Sequence, residues 1–131
     1  MKNIFLIIVL LVSTTFYAQN NITITQKKCI PKKGFYLKLQ RVFDDSRCPE
    51  DVTCIWAGEV SIIIEVYKDK KIVEEKTVIL NFKNSEENIK WFSNYLPKNS
   101  KKIKNIGVFP YPKEGQMVKS KKQFVKITFE N

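Results

Sequence analysis

The sequence predicts a mainly β protein, an antiparallel β-sandwich or open barrel of six or seven strands with one short helix. Three observations predict it. Apolar and polar residues alternate over several short runs, β-branched side chains concentrate in those runs, and Gly, Pro, Asn and Asp fall between them.

Each element has its own signal. Ile22 and Ile24 alternate with Thr23 and Thr25 and read as a short first strand, after which Pro31 and Gly34 break the chain. From Phe35 to Phe43, Phe35, Leu37 and Leu39 take one face while Tyr36, Lys38 and Gln40 take a wet one. Val60 to Tyr67 is dense in β-branched residues and sets Ile62, Ile64 and Val66 on one side. Asp69-Lys70 reads as a tight turn, and Lys71 to Phe82 returns as the partner strand, with Val78, Ile79, Leu80 and Phe82 at its apolar end.

The period then changes. Ile89, Phe92 and Leu96 recur at helical spacing from Asn84 to Leu96, Trp91 and Tyr95 extend the stripe, and Pro97 stops it. Asn84 with Glu87 three residues later predicts a capping box. Ile103 to Phe109 is the next strand, closed by Pro110-Tyr111-Pro112 and a turn at Glu114-Gly115. The last, Gln123 to Glu130, points Val125, Ile127 and Phe129 one way and Lys126, Thr128 and Glu130 the other.

The leading residues 1–18 read as an export signal. Lys2 is a positive start, Ile4 to Val12 is an apolar run shorter than the roughly 20 residues a membrane-spanning helix needs, and Phe16-Tyr17-Ala18 places a small residue at the cut. The expectation is an exported protein, periplasmic or secreted, with one β-sandwich-like domain over residues 19–131 and no transmembrane segment after cleavage. In such a compartment three cysteines predict one disulfide and a remainder. Cys48 and Cys54 are the natural pair, since Pro49 and the polar residues between them can close a short loop, and Cys29 is left free, buried or paired between molecules.

Composition narrows the chemistry. The chain has no histidine, which excludes Ser-His and Cys-His nucleophile pairs and histidine-held metals. The formal net charge is +10, unevenly spread. Asp44, Asp45, Glu50, Asp51 and Glu59 surround Arg47, while Lys98, Lys101, Lys102, Lys104, Lys113, Lys119, Lys121, Lys122 and Lys126 crowd the last third. Such a surface attracts anionic material, a lipid headgroup or an acidic glycan; for an exported chain without a nucleic-acid motif, nucleic acid is not the expected partner.

The candidate site is Asp44 to Gly58. Asp44, Asp45, Glu50 and Asp51 are hard oxygen donors that could hold calcium, or could be turn formers bonding their own backbone. Arg47 is expected to pair with Asp44, Asp45 or Asp51 and order the loop, and Trp56 to pack over the disulfide, with Gly58 admitting a tight turn. A carboxylate pair for glycoside cleavage and a redox thiol are the remaining enzymatic readings. The first needs a cleft that sequence does not show, and acids beside the cysteines disfavour a thiolate.

Asp45-Ser46-Arg47-Cys48-Pro49, then Cys54-Ile55-Trp56-Ala57-Gly58-Glu59, then a distant Pro110-Tyr111-Pro112 before a final alternating strand, resembles a group of small exported bacterial proteins with an Asp-Ser-Arg-Cys-Pro and a Cys-x-Trp-x-Gly segment. The resemblance implies an all-β exported domain with a disulfide between the matching cysteines. Cys29 has no counterpart in that pattern, and Phe124 stands where it has tyrosine. The functional expectation is a non-enzymatic domain without a cofactor that binds a protein partner or an anionic envelope component. The alternatives are a purely structural disulfide-stabilised domain or a calcium-binding acidic loop.

Overall fold

The computed structural model describes residues 21–27, 29–97 and 100–130, so the expected export signal lies outside the described residues. Among the described residues six strands form two three-stranded antiparallel sheets. One has the order β1 (Asn21–Ile24), β6 (Phe124–Phe129), β5 (Ile103–Phe109), and the other β2 (Phe35–Phe43), β3 (Val60–Lys68), β4 (Lys71–Leu80). The sheets do not close into a barrel. Their inward residues and one helix, α1 (Ser85–Ser93), share a single apolar core.

Strand β3 is the centre of its sheet. Ile62, Ile64 and Val66 are fully buried, as their alternation requires, but Ser61, Glu65 and Tyr67 on the opposite face are buried too. The outer face is closed by polar contacts rather than by a second layer. Glu65 accepts hydrogen bonds from Lys38 Nζ at 2.9 Å, Gln40 Nε2 at 3.1 Å and the Tyr67 hydroxyl at 2.9 Å. Burial raises the pKa of Glu65, but these three donors outweigh it and hold the carboxyl below its ordinary range.

Strict alternation along β2 would turn Arg41 inward after Leu37 and Leu39. A bulge prevents this: Leu39 pairs with Ile64 and Arg41 with Ile63, so the extra residue at Gln40 swings Val42 into the core instead. The outer edge of β2 is engaged there by the chain leaving β1, with the Leu39 amide donating to the Thr25 carbonyl at 3.0 Å. Between β3 and β4, Asp69 and Lys70 both have positive φ, 49° and 71°, the conformation of a two-residue hairpin turn. The Asp69 carboxylate accepts the Gly34 amide at 2.9 Å and ties the turn to the start of β2.

Three further details depart from the sequence reading. Phe35, expected on the face of Leu37 and Leu39, is 45% exposed. Phe82 lies beyond the end of β4 and is exposed rather than part of its apolar end. Asn84 precedes α1 but its side chain caps nothing; with φ −93° and ψ 4° it lacks the extended geometry that aims a capping side chain at the first turn. Its own amide instead donates to Asn81 Oδ1 at 2.7 Å, and Glu87 reaches out to Lys76 at 3.7 Å. Strand β4 forms an outer edge that carries exposed Ile72 and Val73 at one end and Glu74, Glu75 and Lys76 at its middle.

The helix is seated by its aromatic stripe. Phe92 is fully buried, Trp91 stacks edge-on against Phe92 and Tyr95, and the Trp91 indole N–H donates to Glu74 Oε1 at 3.0 Å. The Tyr95 hydroxyl donates to the other oxygen of the same carboxylate. These bonds from Tyr95 and Trp91 depress the pKa of Glu74, and the carboxylate in turn pushes Tyr95 up to about 12. A depressed carboxylate stabilises the fold above its unfolded pKa and loses that contribution as pH falls through its folded value. Below the ordinary glutamate value of 4.5, the melting temperature of the parent protein is therefore expected to fall more steeply with acidification than that of Glu74→Gln. Calorimetric or circular-dichroism melts across the acid range measure this, and parallel curves would show that the latch carries no pH-dependent stability.

Candidate functional site

The β2–β3 hairpin does not end where its strands do. Past Phe43 opposite Ser61, the ladder resumes with the Ser46 amide donating to the Glu59 carbonyl at 2.8 Å and the Cys48 amide to the Ala57 carbonyl at 3.0 Å. The resumed pairing is one residue out of step, and Asp44 accommodates the slip with a φ of 47°. Cys48 and Cys54 then close the tip as a disulfide, with Cα atoms 5.9 Å apart. Cys29 is free and exposed. Gly58 lies where the two arms come closest. Its φ is 72°, and a Cβ there would sit 2.0 Å from the Ser46 carbonyl oxygen.

Arg47 is the buried member of this segment, 8% exposed. Its Nε and Nη2 donate to the two oxygens of Asp45 at 2.8 and 2.7 Å, Nη1 donates to the Val108 carbonyl on β5, and the guanidinium lies 4.4 Å from the centre of the Tyr111 ring. Burial raises the pKa of Asp45, but the Arg47 bonds and charge more than offset this and hold it low. The bracing role expected of Arg47 thus falls to Asp45 among its three candidate partners. The contacts to Val108 and Tyr111 come from distant sequence and had no local signal.

The tip docks on the loop that follows β5. The Glu50 amide donates to the Pro112 carbonyl at 3.1 Å, Lys113 approaches Glu50 at 3.3 Å, and the Glu114 amide donates to Asp51 Oδ1 at 2.9 Å. The two motifs that stand far apart in sequence, Asp-Ser-Arg-Cys-Pro and Pro-Tyr-Pro, are therefore one structural unit. The four acids are not gathered into a cage: Asp45 is held by Arg47, Glu50 by Lys113, Asp51 by a backbone amide, and Asp44 is exposed. Among the described residues no group of three or more acidic or cysteine side chains is placed to hold a metal ion.

Trp56 overturns its expected role. It is 68% exposed and does not pack over the disulfide, and its neighbour Ile55, like it just past Cys54, is fully exposed. Two hollows flank this unit. One, of about 290 Å3, lies between the sheets, where Arg47, Gly58, Leu80, Phe82, Ile106 and Tyr111 meet. The other, of about 330 Å3, is formed by the loop the tip grips, and Lys113, Lys119 and Lys122 open onto it beside Tyr111 and Met117. The lysine-rich last third was visible in the sequence, but that three of its lysines line one hollow follows from the Pro110 to Lys122 fold-back.

No family model matches the chain, and neither the curated proteins nor the solved structures contain a match.

Two substitutions separate bracing from display. Gly58→Ala meets both the positive φ and the Ser46 carbonyl, and is expected to cost at least about 2 kcal/mol in urea denaturation. A smaller loss would mean that the hairpin arms can part without consequence to the core. Trp56→Ala, by contrast, removes a side chain that the core does not use, and its unfolding free energy should stay within about 0.5 kcal/mol of the parent. A drop of several kcal/mol would place Trp56 in a packed environment.

Proposed function

We propose that this protein is an exported, non-enzymatic β-domain that binds an anionic component of the cell envelope through the surface beside its disulfide-closed tip. The reading rests on one observation above the others: Lys119 and Lys122, with Lys113 paired to Glu50 beside them, line a single hollow that has no carboxylate among its lining residues. Cationic side chains sharing one concavity reinforce each other's potential toward a phosphate or carboxylate group. The leader supports export, and the absence of histidine together with the dispersal of the acids favours binding over catalysis. The calcium reading draws no support from carboxylates that each face a different partner. A purely structural role does not account for a disulfide that braces a surface loop rather than the core.

The test uses the oxidised protein at low ionic strength against an acidic polysaccharide and against phosphatidylglycerol-containing vesicles. Binding to at least one is expected, weakening as salt rises toward physiological strength, where the Debye length shrinks to about 8 Å. Lys119→Glu combined with Lys122→Glu should weaken it roughly tenfold or more, with an unchanged melt because both side chains are exposed. Failure to bind either probe at low salt overturns the proposal.

A further inference from the structure

We infer that the anionic component is a lipid bilayer, and that the tip of the hairpin enters its interface: Ile55 and Trp56 insert among the headgroups while Lys119 and Lys122 meet lipid phosphates. The inference rests on the anionic-surface reading above and names its target. Ile55 and Trp56 are adjacent and solvent-facing, and they lie between Cys54, held by the disulfide, and Ala57, paired with Cys48, on a tip docked on the neighbouring loop. Their exposure is therefore built into the fold. Exposed apolar side chains held in this way mark a contact surface, and tryptophan in particular favours the membrane interface, where its ring is apolar and its N–H stays wet.

Charge completes the match. The tip and the lysine hollow are joined by the Glu50–Pro112 and Asp51–Glu114 hydrogen bonds, so the apolar pair and the cationic hollow belong to two loops docked on each other. Met117, almost fully exposed, lies at the hollow's rim. Apolar insertion combined with attraction to anionic lipid is the arrangement by which peripheral proteins hold a bilayer without spanning it. Acids lie on these two loops as well: at the hairpin base Asp45 is paired with Arg47, Glu59 accepts from Asn81 and Asp44 is exposed. Asp51 is turned to the Glu114 amide, Glu114 is exposed, and Glu50 neutralises Lys113 at 3.3 Å. Removing the Glu50 charge should therefore strengthen binding by freeing Lys113.

Vesicle sedimentation and tryptophan emission read this directly, because Trp91 is buried and Trp56 is not. The oxidised protein is expected to partition onto vesicles of phosphatidylcholine mixed with phosphatidylglycerol, but not onto phosphatidylcholine alone, with a blue shift of emission on binding. Trp56→Phe should abolish the shift and leave binding largely intact. Ile55→Ser with Trp56→Ser should lower partitioning roughly tenfold, and Glu50→Gln should raise it. Vesicle binding without a blue shift, or with no loss in the double serine variant, overturns the insertion and leaves the anionic-surface reading standing. Binding to an acidic polysaccharide but not to vesicles does the same, with a glycan as the target. Binding to neither overturns both.

Discussion

A guanidinium taken out of water must find a partner for its charge and its donors, and the burial of Arg47 imposes that demand on three parts of the chain at once. Asp45 supplies the charge, Val108 a carbonyl from the other sheet, and Tyr111 a ring face from the loop beyond it. Satisfying one side chain thus fixes the base of the disulfide hairpin against the end of β5. No buried side-chain nitrogen or oxygen among the described residues lacks a hydrogen-bond partner, so this junction is closed. The sandwich is fastened a second time through α1, where Glu74 on β4 takes both Trp91 and Tyr95. The two devices differ in kind: one joins sheet to sheet through a charge, the other joins helix to sheet through a carboxylate shared by two aromatic donors.

Much of the fold was legible because period-2 patterns report burial on one face. Ile62, Ile64 and Val66 in β3 and Val125, Ile127 and Phe129 in β6 sit where their alternation puts them. The pattern fails where burial has another cause. Glu65 is buried by neighbours from β2 and its own strand, and the β2 bulge exchanges Arg41 for Val42, neither of which leaves a mark in the local sequence. The helix was legible from its aromatic spacing but its start was not. Asn84 is a capping residue by type, and only its backbone conformation shows that it does not cap.

The candidate site was legible in composition and not in arrangement. The disulfide and the Arg47–Asp45 pair are local and were within reach. Tyr111 and the lysine hollow depend on contacts across the fold and were not. Trp56 was misplaced because nearness to a cysteine in sequence was read as packing: it stands two residues past Cys54, outside the ring the disulfide closes, and turns to solvent.

The outer edge of β4 bears on how these molecules treat one another. An exposed strand invites a second copy to extend the sheet in antiparallel fashion, and Ile72 and Val73 make this one sticky. Two features break that invitation: a bulge at Val73, where Glu74 pairs with Val66 and Ile72 with Tyr67, interrupts the regular strand, and Asn88 on α1 already donates to the Ile79 carbonyl at 2.8 Å. The bulge and the helix thus work against strand-by-strand polymerisation.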